Sequence, residues 1–183
     1  MRILIVSDAW HPQINGVVRT LSTVQRELQA MGHIVHVIGP DRFRTVPCPT
    51  YAEIRLALLP GRKLARLIDD FAPEAIHIAT EGPLGMAARR FCLRRRLPFT
   101  TAYHTRFPEY VRARFFFPLS WTYAILRRFH GKSSGVMVAT RSIRADLEAR
   151  GFGNIKDWTR GVDLALFHPS KRRDFGWPAP VFA

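Results

Sequence analysis

The sequence predicts an α/β domain built on an open parallel sheet with helices on both faces. Two observations carry this expectation. Short, almost continuous apolar runs recur at Arg2 to Val6, Ile34 to Ile38, Ala75 to Ile78 and Gly135 to Ala139, as in strands covered on both faces. Between runs the apolar residues change to spacings of three and four, the period of a helix face.

The elements follow in order. After the strand Arg2 to Val6, the stretch Ser7 to Gly16 holds Pro12 and Asn15-Gly16 and reads as a loop. Val17, Leu21, Val24, Leu28 and Met31 then mark one helix face, and Gly32 stands where a helix C-terminal glycine belongs. With the strand Ile34 to Ile38, this completes a βαβ unit. Asp41 to Pro49 reads as irregular, Tyr51 to Leu58 as a further strand and Arg62 to Asp70 as a short helix. Beyond the strand Ala75 to Ile78 come a helix from Leu84 to Arg95 and a strand from Phe99 to Tyr103. A helix within Phe115 to His130 places Trp121, Ile125 and Leu126 on its apolar side. Gly135 to Ala139 and Ser142 to Arg150 give the next strand and helix, with Ser142 as N-cap, and a short strand near Ile155 ends the series. The sheet is therefore expected to hold six or seven strands. Residues 1–163 form the domain, whereas 164–183, with Pro169, Pro178, Pro180 and the basic Lys171 to Arg173, read as an interdomain linker or truncated tail.

Composition narrows the functions. At 183 residues and 47% hydrophobic content, the chain suits one sizeable core. It has no apolar run long enough to span a bilayer, and Ser7 and Asp8 interrupt the first run too early for a signal peptide. A cytoplasmic protein is expected. Cys48 and Cys92 are too few for a disulfide framework, and no two histidines show metal-ligand spacing, so no metal is assigned. The formal net charge is +14, and all but four of the 28 basic residues are arginine. Such a balance attracts nucleic acid, anionic lipid or anionic small substrates. Nucleic acid is set aside because no basic stripe is interleaved with stacking aromatics.

Ligands of open parallel sheets bind outside the carboxyl ends of the strands. Candidates therefore follow each strand. Asn15 and Gly16 precede a helix whose N-terminus favours an anion such as a diphosphate, with a plain turn as the alternative. Neither a G-x-G-x-x-G fingerprint nor a Walker loop is present. Glu81, in Glu81-Gly82-Pro83-Leu84-Gly85, could bind hydroxyls or cap the following helix. His104 follows a strand among Tyr103, Thr105 and Arg106, where an imidazole can hydrogen-bond a sugar or act as acid or base. Glu109 is a second carboxylate, and Asp8 is placed to orient the first loop through backbone N–H groups. Thr140 to Ser142 and Arg160-Gly161-Val162-Asp163 follow the last two strands. His77 reads as a core residue.

Taken together, Ser7-Asp8, Pro12 to Val17, Gly32 to Val37, Glu81 to Gly85, His104 to Pro108, Thr140 to Ser142, Arg160 to Asp163 and Phe167 to Pro169 resemble a known family. It is that of retaining, two-domain nucleotide-sugar glycosyltransferases of GT-B architecture. More narrowly, the chain resembles the mannosyltransferase and sulfoquinovosyl-lipid-synthase-like branch of glycosyltransferase family 4. The resemblance implies a Rossmann-like N-terminal, acceptor-side domain. It implies a substrate-binding set of Asn15, Gly16, Glu81, Arg106, Ser142, Arg160 and Asp163, with His104 as the catalytic candidate. A UDP- or GDP-sugar donor, with no other cofactor, is expected only once a C-terminal half is present. That half supplies an arginine-lysine pair and a Glu-x7-Glu signature, and none follows Lys171. The acceptor side, a lipid included, would suit the cytosolic face of an anionic membrane. There the aromatic stretch Phe115 to Trp121 has two readings, membrane contact or core packing. The alternative function is a binding domain or partner half without activity of its own.

Overall fold

The computed structural model describes residues 1–48, 51–104, 109, 112, 118–159, 161–162, 164 and 166–171. Its centre is a six-stranded, all-parallel sheet formed by β1 (Arg2–Val6), β2 (Ile34–Ile38), β5 (Ala75–Ile78), β6 (Thr100–Tyr103), β7 (Gly135–Val138) and β8 (Ile155–Asp157). The spatial order is β2-β1-β5-β6-β7-β8. The chain leaves β1 in one direction to reach β2 and later returns to the other side of β1 as β5, so the strand order reverses between β1 and β5. In an open α/β sheet that reversal opens a crevice at the carboxyl edge.

Side chains alternate across the sheet and sort the helices. Helix α1 (Gly16–Ala30) brings Val17, Leu21, Val24 and Leu28 against Ile3, Ile5, Val35, Val37 and Ala79. The opposite face holds Leu4, Val6, Ile76 and Ile78 under α2 (Gly61–Phe71) and α3 (Pro83–Arg95). On that same face, Tyr103, Val136 and Val138 lie under α4 (Leu119–His130) and α5 (Arg141–Ala149). Among the described residues α1 therefore stands alone on its face, and the expectation of helices on both faces holds. β1 lies between β2 and β5, with Leu4, Ile5 and Val6 buried.

Three local expectations need correction. The segment read as irregular contains a 3₁₀ turn (Pro40–Arg42) and β3 (Thr45–Cys48), which pairs antiparallel with β4 (Tyr51–Ala57) as a separate two-stranded ribbon. Tyr51 to Leu58 thus adds no strand to the main sheet. In α4 the buried face is Thr122, Tyr123, Leu126, Phe129 and His130, whereas Trp121 and Ile125 are exposed. The N-cap of α5 is Thr140, whose Oγ1 accepts the Ile143 N–H at 3.3 Å; Ser142 lies inside the first turn and instead hydrogen-bonds the Thr140 hydroxyl.

Candidate functional site

The carboxyl edge is organised around Asp8, at the end of β1. Its Oδ1 accepts the Leu84 N–H at 2.8 Å, and Oδ2 accepts the Gly85 N–H at 3.2 Å and the Thr80 hydroxyl at 2.9 Å. The N-terminus of α3, which would otherwise attract a ligand anion, is filled by the protein's own carboxylate. Burial pushes the Asp8 carboxyl above the ordinary carboxylate range, against the opposing pull of these three donors. The neighbouring glycines belong to the same device. A Cβ on Gly82 would lie 2.5 Å from the Asp8 carboxylate, and one on Gly85 would lie 1.8 Å from the Thr80 carbonyl oxygen. Asp8 therefore ties β1 to α3 across the strand reversal and does not orient its own loop through N–H groups.

With that N-terminus filled, Glu81 is not a helix cap. Its Oε1 meets Nε2 of His130 at 3.2 Å, and the other nitrogen of that ring meets the Thr101 hydroxyl at 2.9 Å. His130 is fully buried against Phe129, Tyr103 and Phe152. Arg89 fixes the turn that carries it by donating to the Arg128 and Phe129 carbonyls. Glu81 is thus held at the mouth of the crevice by a rigid partner from α4, while its second oxygen makes no hydrogen bond among the described residues. Sequence reasoning missed His130, because a histidine at a helix end gives no sign of a partner 49 positions away.

The β1–α1 loop forms the next part of the edge. Gln13 is buried and donates to the Asp8 carbonyl, and Trp10 packs against Gly39 at the end of β2. Asn15 caps α1, its Oδ1 accepting the Val17 and Val18 N–H groups at 3.0 Å each. Two of the amides expected to meet an anion are therefore already used. Gly16 remains open: its φ is not in the left-handed region, and a Cβ there would meet nothing within 4 Å. The fold itself does not require glycine at this position.

His104 follows β6. By alternation it shares the α1 side of the sheet with Ala102, whereas Tyr103 faces α4. Its ring lies edge-on to Trp158, centroids 5.8 Å apart, and Trp158 also meets His77 at 6.1 Å. Since β5 alone separates β1 from β6, the ends of those two strands are about 10 Å apart across the sheet; His104 directly follows β6, and Gly16 follows β1 after the loop Ser7 to Asn15. Ser142 is exposed at the start of α5, after β7. Glu109 points elsewhere: it accepts the Tyr123 hydroxyl at 2.7 Å, on the α4 side. Arg106, Arg160 and Asp163, with Phe115 to Phe117, lie outside the described residues. Among those described, no three His, Cys, Asp or Glu side chains could jointly hold a metal ion, and no helix is long and apolar enough to cross a membrane.

His77 gives this region a pH signature. Its Nδ1 pairs with the Thr100 hydroxyl at 2.9 Å, and its buried Nε2 has no hydrogen-bond partner among the described residues. Burial and then the nearby His104 lower its pKa to about 4. The folded state thus binds fewer protons than the unfolded chain between pH 4 and the ordinary histidine value near 6.5. Stability from this site is complete above that range and falls as the pH drops through it, by up to about 3 kcal/mol. Urea titrations from pH 7 to 4 should show the loss, and His77→Gln should flatten it. A variant with the parental slope would reject this assignment.

The carboxyl edge therefore presents an open glycine at a helix start, a carboxylate held by His130 and a histidine, on a doubly wound α/β unit. Residues 14–166 match the model of Glycosyltransferase Family 4, and the chain belongs to that family. It is similar to the GDP-mannose-dependent alpha-mannosyltransferases of Mycobacterium tuberculosis (25% identity over 95% of this chain and 51% of the relative) and Corynebacterium glutamicum (27%, 94% and 46%). It is also similar to the alpha-monoglucosyldiacylglycerol synthase of Streptococcus pneumoniae, at 26% identity over 61% of this chain and 28% of that protein. The chain spans about half the length of the curated mannosyltransferases it matches.

Proposed function

We propose that residues 1–163 form the acceptor-side domain of a retaining sugar transferase, with 164–183 connecting it to a second domain. The donor is a UDP- or GDP-sugar carrying mannose or a related hexose. The acceptor is a hydroxyl compound, a lipid included, presented at the cytosolic face of an anionic membrane. One observation supports the reading: in a family 4 chain, Gly16, Glu81 and His104 follow β1, β5 and β6, the neighbouring strands at which the order reverses.

Each residue takes a distinct role in this reading. Gly16 admits the donor diphosphate because no Cβ fills the space before α1. Glu81, held through one oxygen by His130, accepts a hydrogen bond from a substrate hydroxyl with the other. His104, braced by Trp158, faces the transferred sugar or the incoming hydroxyl. Ser142, at the start of α5, and Arg106, Arg160 and Asp163, by their places in the motifs shared with the family, add to substrate binding. A C-terminal half neutralises the leaving phosphate, the step on which retaining transfer depends most.

His104→Ala and Gly16→Ala, each in the complete two-domain enzyme, test this. Both should keep the parental thermal midpoint, since the Gly16 Cβ meets nothing and a helical alanine is favoured over glycine. His104→Ala should lower kcat about 100-fold, and Gly16→Ala should raise the donor KM. Parental kcat and KM in both variants would remove these residues from the site.

A further inference from the structure

A chain of polar groups runs through the apolar layer between the sheet and α4. His130, at the end of α4, spans Thr101 on β6 and Glu81 after β5, at 2.9 and 3.2 Å. The Thr101 and Ser133 hydroxyls lie 3.3 Å apart. Thr101, His130 and Ser133 are all buried. The imidazole is walled by the Phe129, Phe152 and Tyr103 rings, with centroids 5.0, 6.0 and 6.3 Å away. Further hydrogen bonds hold the far end. The Ser133 N–H donates to the His130 carbonyl at 2.9 Å, and Asn154 Nδ2 donates to the Ser133 carbonyl at 3.2 Å.

Stability alone does not account for this arrangement. Apolar side chains of similar shape would serve a buried layer as well as a hydrogen-bonded polar set, or better. What such a set supplies is a single fixed orientation. Of the four side chains only Glu81, 23% exposed, reaches solvent. The orientation fixed by the core is therefore that of a carboxylate at the mouth of the crevice.

We propose that His130 is a positioning residue for sugar transfer, seated by Thr101 and Ser133, and that it sets how many hydroxyls Glu81 grips. The inference rests on the reading of Glu81 as a hydroxyl-binding group. A carboxylate with both oxygens free can accept from two neighbouring hydroxyls of a sugar. With Oε1 committed to a buried imidazole, Glu81 offers one oxygen at one angle and selects a single hydroxyl. An untethered glutamate would also spread over several rotamers and lose that freedom on binding. Here the core has already removed it. His130 touches no substrate and acts only through Glu81.

Thermal melting of the 183-residue chain, with GDP-mannose turnover by the chain joined to a family 4 C-terminal half, separates this role from a structural one. His130→Phe fills the ring site and removes both polar contacts. It should melt within about 3 °C of the parent and lower kcat/KM about tenfold. His130→Gln, whose amide can still donate to Glu81, should recover most of that loss. In a Glu81→Gln background His130→Phe should add less than about twofold, because the two residues act as a unit. Parental kcat/KM in a folded His130→Phe protein, or a full tenfold loss on top of Glu81→Gln, overturns the proposal. Should His130→Phe melt early, Thr101→Val/His130→Phe replaces both facing partners and carries the same expectations. Glu81→Gln with parental turnover would instead remove Glu81 from the site and reject the reading beneath the proposal. An impaired Glu81→Gln beside an unimpaired His130→Phe overturns the proposal and leaves that reading standing.

Discussion

Asp8→Ala is expected to lower the stability of the domain by about 3 kcal/mol. Three donors lose their acceptor at once, and two of them, the Leu84 and Gly85 amides, are buried at the first turn of α3. An unsatisfied buried donor costs about 1–3 kcal/mol, and loss of a helix cap about 1. The relief of burying a carboxylate offsets part of that sum. Gly85→Ala should cost at least as much by a different route, since its methyl would lie 1.8 Å from the Thr80 carbonyl oxygen and main chain must move. For a domain of this size the thermal midpoint falls by about 2–4 °C per kcal/mol, so each variant should melt about 6–12 °C below the parent. Gly16→Ala serves as the control, because both glycines lie in family motifs and only one is demanded by the fold. An Asp8→Ala protein that melts with the parent would show that the carboxylate does not hold the strand reversal together.

The contrast between these glycines shows what the sequence could and could not reveal. Glu81-Gly82-Pro83-Leu84-Gly85 attracts a ligand-binding reading because it follows a strand, yet much of it houses Asp8. That role depends on a contact 76 positions away. The parallel sheet itself was legible because Arg2 to Val6, Ile34 to Ile38 and Ala75 to Ile78 are short apolar runs, which only burial on both faces explains. The β3–β4 ribbon was not, since Thr45–Cys48 contains Pro47 and carries no apolar run. In α4, Trp121 and Ile125 are large and one turn apart, which suggests a buried stripe. The real stripe starts one residue later and includes Thr122 and His130, both buried. Polar residues that find partners only in three dimensions hide such a face from any reading by hydrophobicity. The strand-end place of His104 was legible because it is a property of the local pattern; the contacts of His130 were not, because its partners Glu81 and Thr101 are distant in sequence.

Turnover tests most directly whether this polypeptide supplies one wall of a sugar-transfer site. In the proposed reading, a chain spanning about half the length of its mannosyltransferase relatives would contribute Gly16, Glu81 and His104, and the groups that neutralise the departing phosphate would come from a second domain. Reacting groups must be held to within about 1 Å of productive geometry, so one wall alone should give no measurable rate. GDP-mannose and UDP-glucose turnover should be measured with a lipid acceptor for the purified 183-residue chain, and again with the chain joined to a family 4 C-terminal half. No product above background is expected in the first case, and sustained transfer, dependent on His104, is expected in the second. Enzyme-like turnover by the 183-residue chain alone would contradict it.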